Sequence, residues 1–347
     1  MKTLKTAIIG CGLIAQAKHL PALQALRRHV RLEAVCDTNQ SLAESAAKKS
    51  GTARAYTALA DLLGEVRPKL VLLCTPPQTH RALAVECLQA GAHLFVEKPM
   101  ALTTADCQSI VDAARQGDRK VCVAFSQSFT PIICKARDWI SAGRIGPLEG
   151  MSLFLSTPFD YMTAKESHWV HRLPGGFLSE TGPHVIHMAM SFLGPVRKTW
   201  LFARKQQPVS WTLADDLRIH LECERGTCSV ILRYTADYWA ARVDLMGKKA
   251  LLTADLESGL LLRHERKNLQ ASVVFRSEMA KGIQAAGQMA RSGIEYLLKA
   301  RKSGHDTLLE RFILSLQRGT HPPVDPQEGL EVTRVLEELT AQLKASA

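Results

Sequence analysis

An α/β chain is predicted: an N-terminal doubly wound parallel sheet, then a C-terminal α+β domain built on a mostly antiparallel open sheet. Three features of the 347-residue sequence carry that prediction. The run Ala7-Ile8-Ile9-Gly10-Cys11-Gly12-Leu13-Ile14-Ala15 reads as a buried strand that turns at once through glycines into a helix. Apolar strands and helical stretches then alternate with short links as far as Phe125, the pattern of right-handed βαβ crossovers. From about Leu148 the period changes to two, with glycine turns between the strands.

The elements follow in order. Leu20 to Arg28 completes the first helix, and Val30 to Cys36 is the second strand. Helices are predicted at Ser41 to Ser50 and Leu59 to Glu65. Lys69 to Cys74 holds the fully apolar Leu70-Val71-Leu72-Leu73, the kind of strand that parallel sheets bury on both faces. A helix at His80 to Ala90 stops at Gly91, and His93 to Val96 is the next strand. Thr104 to Arg115 is helical, and Val121 to Phe125 is a strand. Beyond the helix Ile132 to Ala142, strands are expected at Thr212 to Glu222, Thr227 to Thr235 and Ala241 to Met246. Gly226, Gly247-Lys248-Lys249 and Ser258-Gly259 are the turns. Gly182 to Phe192 is expected to be the largest helix of this half. The domain boundaries read as 1–125 and 126–347. Helices on one face of an open sheet leave the other face to be buried elsewhere, so a homo-dimer or homo-tetramer is expected.

Gly10 and Gly12 let the backbone turn tightly and approach a pyrophosphate, with Leu13 and Ile14 beside them. Ala15 replaces a third glycine while keeping a small helix–strand contact. Asp37 ends the second strand at the spacing where a carboxylate accepts the adenosine ribose hydroxyls. Strand, glycine turn, helix and acid together spell a dinucleotide-binding Rossmann unit. A 2′-phosphate would be repelled by Asp37, and Thr38, Asn39, Gln40 and Ser41 supply no base. NAD is therefore favoured over NADP.

The formal net charge is +11. The basic residues are spread along the chain and aromatics are few, so no base-stacking platform for nucleic acid is present. The charge reads as a solvated surface, with an anionic small substrate as the sharper alternative. No apolar run is long enough to span a bilayer, and no signal peptide is read. Nine scattered cysteines give no zinc spacing and no disulfide framework, although Cys223 and Cys228 could be cross-strand neighbours. A reducing cytoplasm fits that usage. Glu278 to Lys302 is a helical stretch with Ile283, Ala286, Ala290, Ile294 and Leu297 on one stripe and Lys281, Arg291, Lys299, Arg301 and Lys302 elsewhere. Packing on the protein or on a subunit partner is favoured over an acidic membrane surface.

Cys74-Thr75-Pro76-Pro77 closes one apolar strand, and His80 follows at a helix start. Glu97-Lys98-Pro99 closes the next strand. Ligands of open α/β sheets lie beyond the carboxyl ends of such strands. A Glu-Lys pair there is costly to bury without a task, and an ordinary ion pair is the plain alternative. These segments, with His19 and Pro21 after the glycine turn, resemble the Gfo/Idh/MocA oxidoreductases, a family that includes inositol dehydrogenases and glucose–fructose oxidoreductase. The likeness continues through Gly143-Arg144-Ile145-Gly146, Pro174-Gly175-Gly176 and Gly319 to Pro323. It implies that Lys98 is the catalytic lysine near the nicotinamide and that the Lys98–Pro99 bond is cis. Thr75, Pro76, His80 and Glu97 would frame the ribose and nicotinamide side.

The resemblance also covers Gly175 to His187, where the family pattern is Gly-Gly-x-x-x-Asp-x-Gly-x-His-x-x-Asp. His184 matches the histidine, which implies an acid/base or hydroxyl-binding role suited to imidazole. Glu180 stands for the first acid and is one methylene longer; His187 replaces the second. A hydrogen-bonded core histidine and a substrate contact both remain open for His187. His184 and His187 share a helix face with Glu180 nearby, but the chain offers no complete metal site, and no metal is expected. Trp169, His171 and Arg172 resemble a segment that lines the substrate pocket; a loop packed by one tryptophan is the plain alternative. Ser128 stands where relatives often carry arginine. The expected activity is interconversion of a secondary alcohol and a ketone on a sugar, polyol, inositol or nucleotide sugar. A non-catalytic dinucleotide sensor on the same fold is the alternative that Glu180 and His187 allow.

Overall fold

The computed structural model describes residues 3–51, 54–297 and 302–346. It divides into two compact units, Met1–Ser126 with Gly304–Arg334, and Gln127–Ser303 with Val335–Ala347.

The first unit opens with β1 (Leu4–Ile9), a short π-helical turn at Ala15–His19 running into α1 (Leu20–Ala25), β2 (Val30–Cys36) and α2 (Gln40–Ser50). Then come β3 (Ala55–Tyr56), α3 (Leu59–Val66), β4 (Leu70–Leu73), α4 (His80–Gln89), β5 (His93–Val96), α5 (Thr104–Gln116) and β6 (Val121–Val123). The six strands lie in the order β3-β2-β1-β4-β5-β6 and pair in parallel throughout. All four residues of β4 are fully buried, as a strand covered by helices on both faces requires. Asn39 caps α2 by accepting from the Leu42 N–H at 3.3 Å, and Gly51 ends it at φ 74°. The strand order reverses between β1 and β4, which puts the topological switch point at the glycine turn.

The second unit contains α6 (Pro131–Ser141), β7 (Leu148–Pro158), α7 (Phe177–Leu193), β8 (Val196–Arg204), β9 (Asp216–Cys223), β10 (Gly226–Ala236), β11 (Ala240–Gly247), β12 (Leu251–Asp255), β13 (Leu260–His264) and α8 (Ala271–Leu297). Its sheet runs β13-β12-β11-β7-β10-β9-β8, antiparallel except for the β7–β10 pair. Gly226 closes the β9–β10 hairpin at φ 133°, and a Cβ there would sit 2.3 Å from the Glu149 carbonyl oxygen. Cys223 pairs with Gly226 and Cys228 with Leu221, so the two cysteines are not opposite one another, and all nine are free thiols. The predicted 212–222 strand starts only at Asp216, β8 was not predicted, and Pro183 lies inside a helix longer than expected. Among the described residues the largest helix is α8, with 27 residues. Lys299 and Arg301 of the predicted basic stretch lie outside the described residues.

The chain returns to the first unit through α9 (Gly304–Arg318) before α10 (Pro326–Ser346). The sequence assigned all of 126–347 to a second domain; residues 304–334 belong instead with the first. Burial is the reason. Leu308, Leu309, Phe312 and Ile313 of α9 are fully buried, and the Phe312 ring meets Phe95 of β5 at 6.0 Å. Each such side chain stabilises the fold by about 1.5–3 kcal/mol relative to leaving it in water.

Candidate active site

Residues of the expected site divide between the units, and each half is built by its own elements. In the first unit the glycine turn, Thr75-Pro76 and Glu97-Lys98 leave the carboxyl ends of β1, β4 and β5, which are neighbours in one parallel sheet. Gly10 adopts φ 88°, and a Cβ on it would lie 2.7 Å from Cys74 C and Thr75 N. Gly12 faces open space, with nothing within 4 Å of an added Cβ. Leu13 is 86% exposed at the tip of the turn, and Ile14 is half-buried. Asp37 joins this cradle: one carboxylate oxygen accepts from the Cys11 N–H at 2.7 Å and the other from the Asn39 N–H at 2.9 Å. An open glycine surface, bracketed by backbone and ended by a carboxylate, fits a dinucleotide with its pyrophosphate over Gly12 and its ribose on Asp37.

His80 is fully buried, and both of its ring nitrogens meet protein carbonyls. Nε2 lies 2.8 Å from Thr75 O, and Nδ1 lies 3.0 Å from Pro99 O. The protonated ring donates to both, whereas a neutral ring has one N–H to give. Burial pulls its pKa down and the carbonyls oppose that, with a net lowering. His80 therefore joins the segments after β4 and β5 and has no polar atom left for a cofactor. Its replacement by Phe is expected to leave one of these carbonyls without its donor. The expected cost is about 1–3 kcal/mol in urea unfolding, with weaker NAD binding in calorimetry. Unchanged stability would remove the clamp role.

Glu97 is buried beside it. One oxygen accepts from His19 Nε2 at 2.6 Å, and the other from the Lys98 backbone N–H at 3.3 Å. Burial favours the neutral acid, but the His19 hydrogen bond and neighbouring positive groups prevail and hold its pKa below the ordinary value. His19 ends the π-helical turn after the glycines, so the carboxylate ties that turn to the Lys98 backbone. His305 of α9 lies against the His19 ring at 5.8 Å, its own pKa pushed down to about 4, mainly by burial. Lys98 itself is half-buried, and the Lys98–Pro99 bond is cis.

In the second unit α7 carries Glu180, His184 and His187. His184 is 7% exposed. His187 is 2% exposed; its Nδ1 lies 2.7 Å from the Ser128 hydroxyl, and its ring stacks on Phe129 at 6.5 Å. Two of the three departures from the family pattern, Ser128 and His187, thus meet in one buried hydrogen bond. That geometry supports the core-histidine alternative. Trp169 and Arg172 are exposed on a short 3₁₀ turn. His171 packs edge-on to Phe177 at 5.3 Å and sits in a cleft with Leu173, Gly175, Trp211 and Leu213.

Two residues escaped the sequence reading. The buried Tyr234 hydroxyl on β10 donates to Thr181 Oγ1 at 2.8 Å, and Thr181 donates to Glu180 Oε2 at 2.9 Å. This directed chain fixes one face of the carboxylate and leaves the Tyr234 pKa raised, chiefly by burial. The signal was a tyrosine at an inward position of an alternating strand, where its hydroxyl must find a partner. Among the described residues no group of three or more His, Cys, Asp or Glu side chains is arranged to hold a metal, and no helix is long and apolar enough to cross a membrane.

Comparison with known proteins agrees with this architecture. The profile "Oxidoreductase family, NAD-binding Rossmann fold" of the Gfo/Idh/MocA group matches residues 4–125, and that group's C-terminal domain matches residues 133–253. An inositol 2-dehydrogenase of Salmonella paratyphi B is 32% identical over 235 residues, covering 66% of each chain. A D-glucoside 3-dehydrogenase of Escherichia coli is 28% identical over 55% of this chain and 54% of its own. The chain spans about half to three quarters of the length of such curated relatives. The WlbA dehydrogenase of Bordetella pertussis, solved with NADH and UDP-GlcNAcA, superposes with a TM-score of 0.79 at 19% identity, covering 100% of this chain and 97% of that one. At that identity the likeness speaks for the fold.

Proposed function

The chain belongs to the Gfo/Idh/MocA oxidoreductase family, and we propose that it is an NAD-dependent dehydrogenase interconverting a secondary alcohol and a ketone on a sugar, polyol, inositol or nucleotide-linked sugar. One observation carries the reading: the glycine cradle and Lys98 leave the same edge of one parallel sheet, from β1 and β5. Oxidising a secondary alcohol removes a hydride from carbon and a proton from oxygen. NAD, when bound, takes the hydride. Lys98 accepts the hydroxyl proton as its neutral amine, and in the reverse direction its ammonium polarises the carbonyl.

Gly10, Gly12, Leu13, Ile14 and Asp37 hold the dinucleotide, with Thr75, Pro76 and Glu97 on its nicotinamide side. His184 and Glu180 are the acid/base and hydroxyl-binding residues, and Trp169, His171 and Arg172 bind the substrate. Arg172 grips a carboxylate or phosphate, in keeping with the net charge of +11. The names of the inositol, glucoside and UDP-sugar relatives support the substrate class. Asp37, with no base at 38–41, supports NAD over NADP. The chain works as a homo-dimer or homo-tetramer. Trp200 and Phe202, 42% and 73% exposed on β8, offer two aromatic side chains on the open face of the sheet for one contact.

The test is NADH formation with a panel of inositols, sugars, sugar acids and nucleotide sugars, alongside calorimetry with NAD and NADP. Turnover of at least one substrate class and NAD affinity at least about tenfold above NADP, a difference near 1.4 kcal/mol, are expected. Silence across the panel with NAD binding intact would overturn the catalytic reading.

A further inference from the structure

Helix α8 is mounted with its amphipathic faces reversed. Its packed side is polar: Gln284 and Gln288 fork onto the backbone of edge strand β13. Gln288 accepts from the Leu261 N–H at 3.1 Å and donates to Leu261 O at 2.8 Å. Gln284 accepts from the Arg263 N–H at 3.0 Å and donates to Arg263 O at 3.3 Å. The two amides thus occupy the hydrogen-bonding edge that another strand would use. They also peg the helix, because rolling it over would break four hydrogen bonds. The apolar stripe of Phe275, Met279, Ile283, Ala286, Ala290 and Ile294 therefore faces away from the unit. Phe275 is 66% exposed, Ile283 69% and Ile294 58%.

We propose that a second copy of this chain covers the α8 stripe, packing helix against helix about a twofold axis. The inference rests on the homo-oligomer reading above and names one of its surfaces. Size supports it. At about 200 Å² for a fully open bulky side chain, the stripe with neighbouring Met289 leaves roughly 600 Å² of apolar surface uncovered. The alanines and glycines among them bring this near the ~800 Å² that each partner buries in a standard interface. Shape supports it too. Small Gly282, Ala286, Ala290 and Gly293 run beside bulky Met279, Ile283 and Ile294, so ridge and groove of one copy complement those of the other. Glu278 pairs with both Arg266 and Lys281 at the helix flank, and vesicle flotation separates an acidic membrane from a second copy as occupant.

The experiment is sedimentation velocity on the full chain and on its Ile283→Glu variant, with flotation on vesicles of anionic phospholipid. Ile283 packs against nothing that its exposure would hide, so circular dichroism and NAD affinity serve as controls for folding. The expected result is an oligomeric wild type whose mass is halved by Ile283→Glu, and an interchain disulfide when Ala290→Cys is oxidised. An oligomer of unchanged mass with no cross-link overturns the α8 surface and leaves the oligomer reading standing. A monomeric wild type overturns both. Vesicle binding that Ile283→Glu abolishes while the mass stays the same assigns the stripe to lipid and overturns the proposal.

Discussion

Lys98→Ala is expected to lower kcat/KM for alcohol oxidation by about 10²–10⁴-fold, the range a positioned acid–base group supplies. NAD affinity should stay within about threefold of wild type, a difference under 1 kcal/mol. The asymmetry follows from the architecture. The cradle for the dinucleotide is made by Gly10, Gly12 and Asp37, and Asp37 is held by the Cys11 and Asn39 backbone N–H groups. The Lys98 backbone N–H donates to Glu97, and Ala keeps that N–H. The backbone geometry is thus retained while the amine is lost. Lys98→Arg should be nearly as inactive, because a guanidinium stays charged and cannot accept the hydroxyl proton. Steady-state kinetics on the substrate found by the panel, paired with calorimetry, separates the roles. An equal loss of turnover and of NAD affinity would make Lys98 a structural residue.

Much of the first unit was legible because its signals are local. Leu70-Val71-Leu72-Leu73 is apolar on both faces, and that alone marks a central parallel strand. Gly10, Asp37 and Lys98 each terminate such a strand, so their shared edge follows from the fold class. The return of α9 was not legible. Leu308, Leu309, Phe312 and Ile313 announce an amphipathic helix, but no periodicity says which core it fills. His80 shows a related limit. A histidine at a helix start beside a strand end reads as a ligand contact, and only the folded chain brings two carbonyls onto its ring nitrogens. Thr181 and Tyr234 are 53 positions apart, so their hydrogen bond to one another depends on sheet register. The α8 stripe was visible in the sequence, yet its direction was set by Gln284 and Gln288, polar residues that periodicity alone assigns to solvent.

The two glycines of the opening motif should separate folding from binding. Gly10→Ala places a methyl 2.7 Å from the Cys74 and Thr75 backbone and forces a side chain into φ 88°. Neither neighbour yields, because both are backbone atoms that follow directly on the buried strand β4. Overpacking and backbone strain each cost about 1–3 kcal/mol, so urea unfolding should register a loss of about 2–5 kcal/mol. Gly12→Ala meets nothing within 4 Å and requires no left-handed backbone. Its stability should stay within about 1 kcal/mol of wild type, with a slight gain from a stiffer unfolded chain. The same methyl, however, projects into the space assigned to the pyrophosphate. NAD affinity should fall by about 10–100-fold, or 1.4–2.7 kcal/mol. If Gly12→Ala bound NAD as tightly as wild type, the pyrophosphate would have to lie elsewhere, and the cradle built from Gly12 and Asp37 would be wrong even though the fold was right.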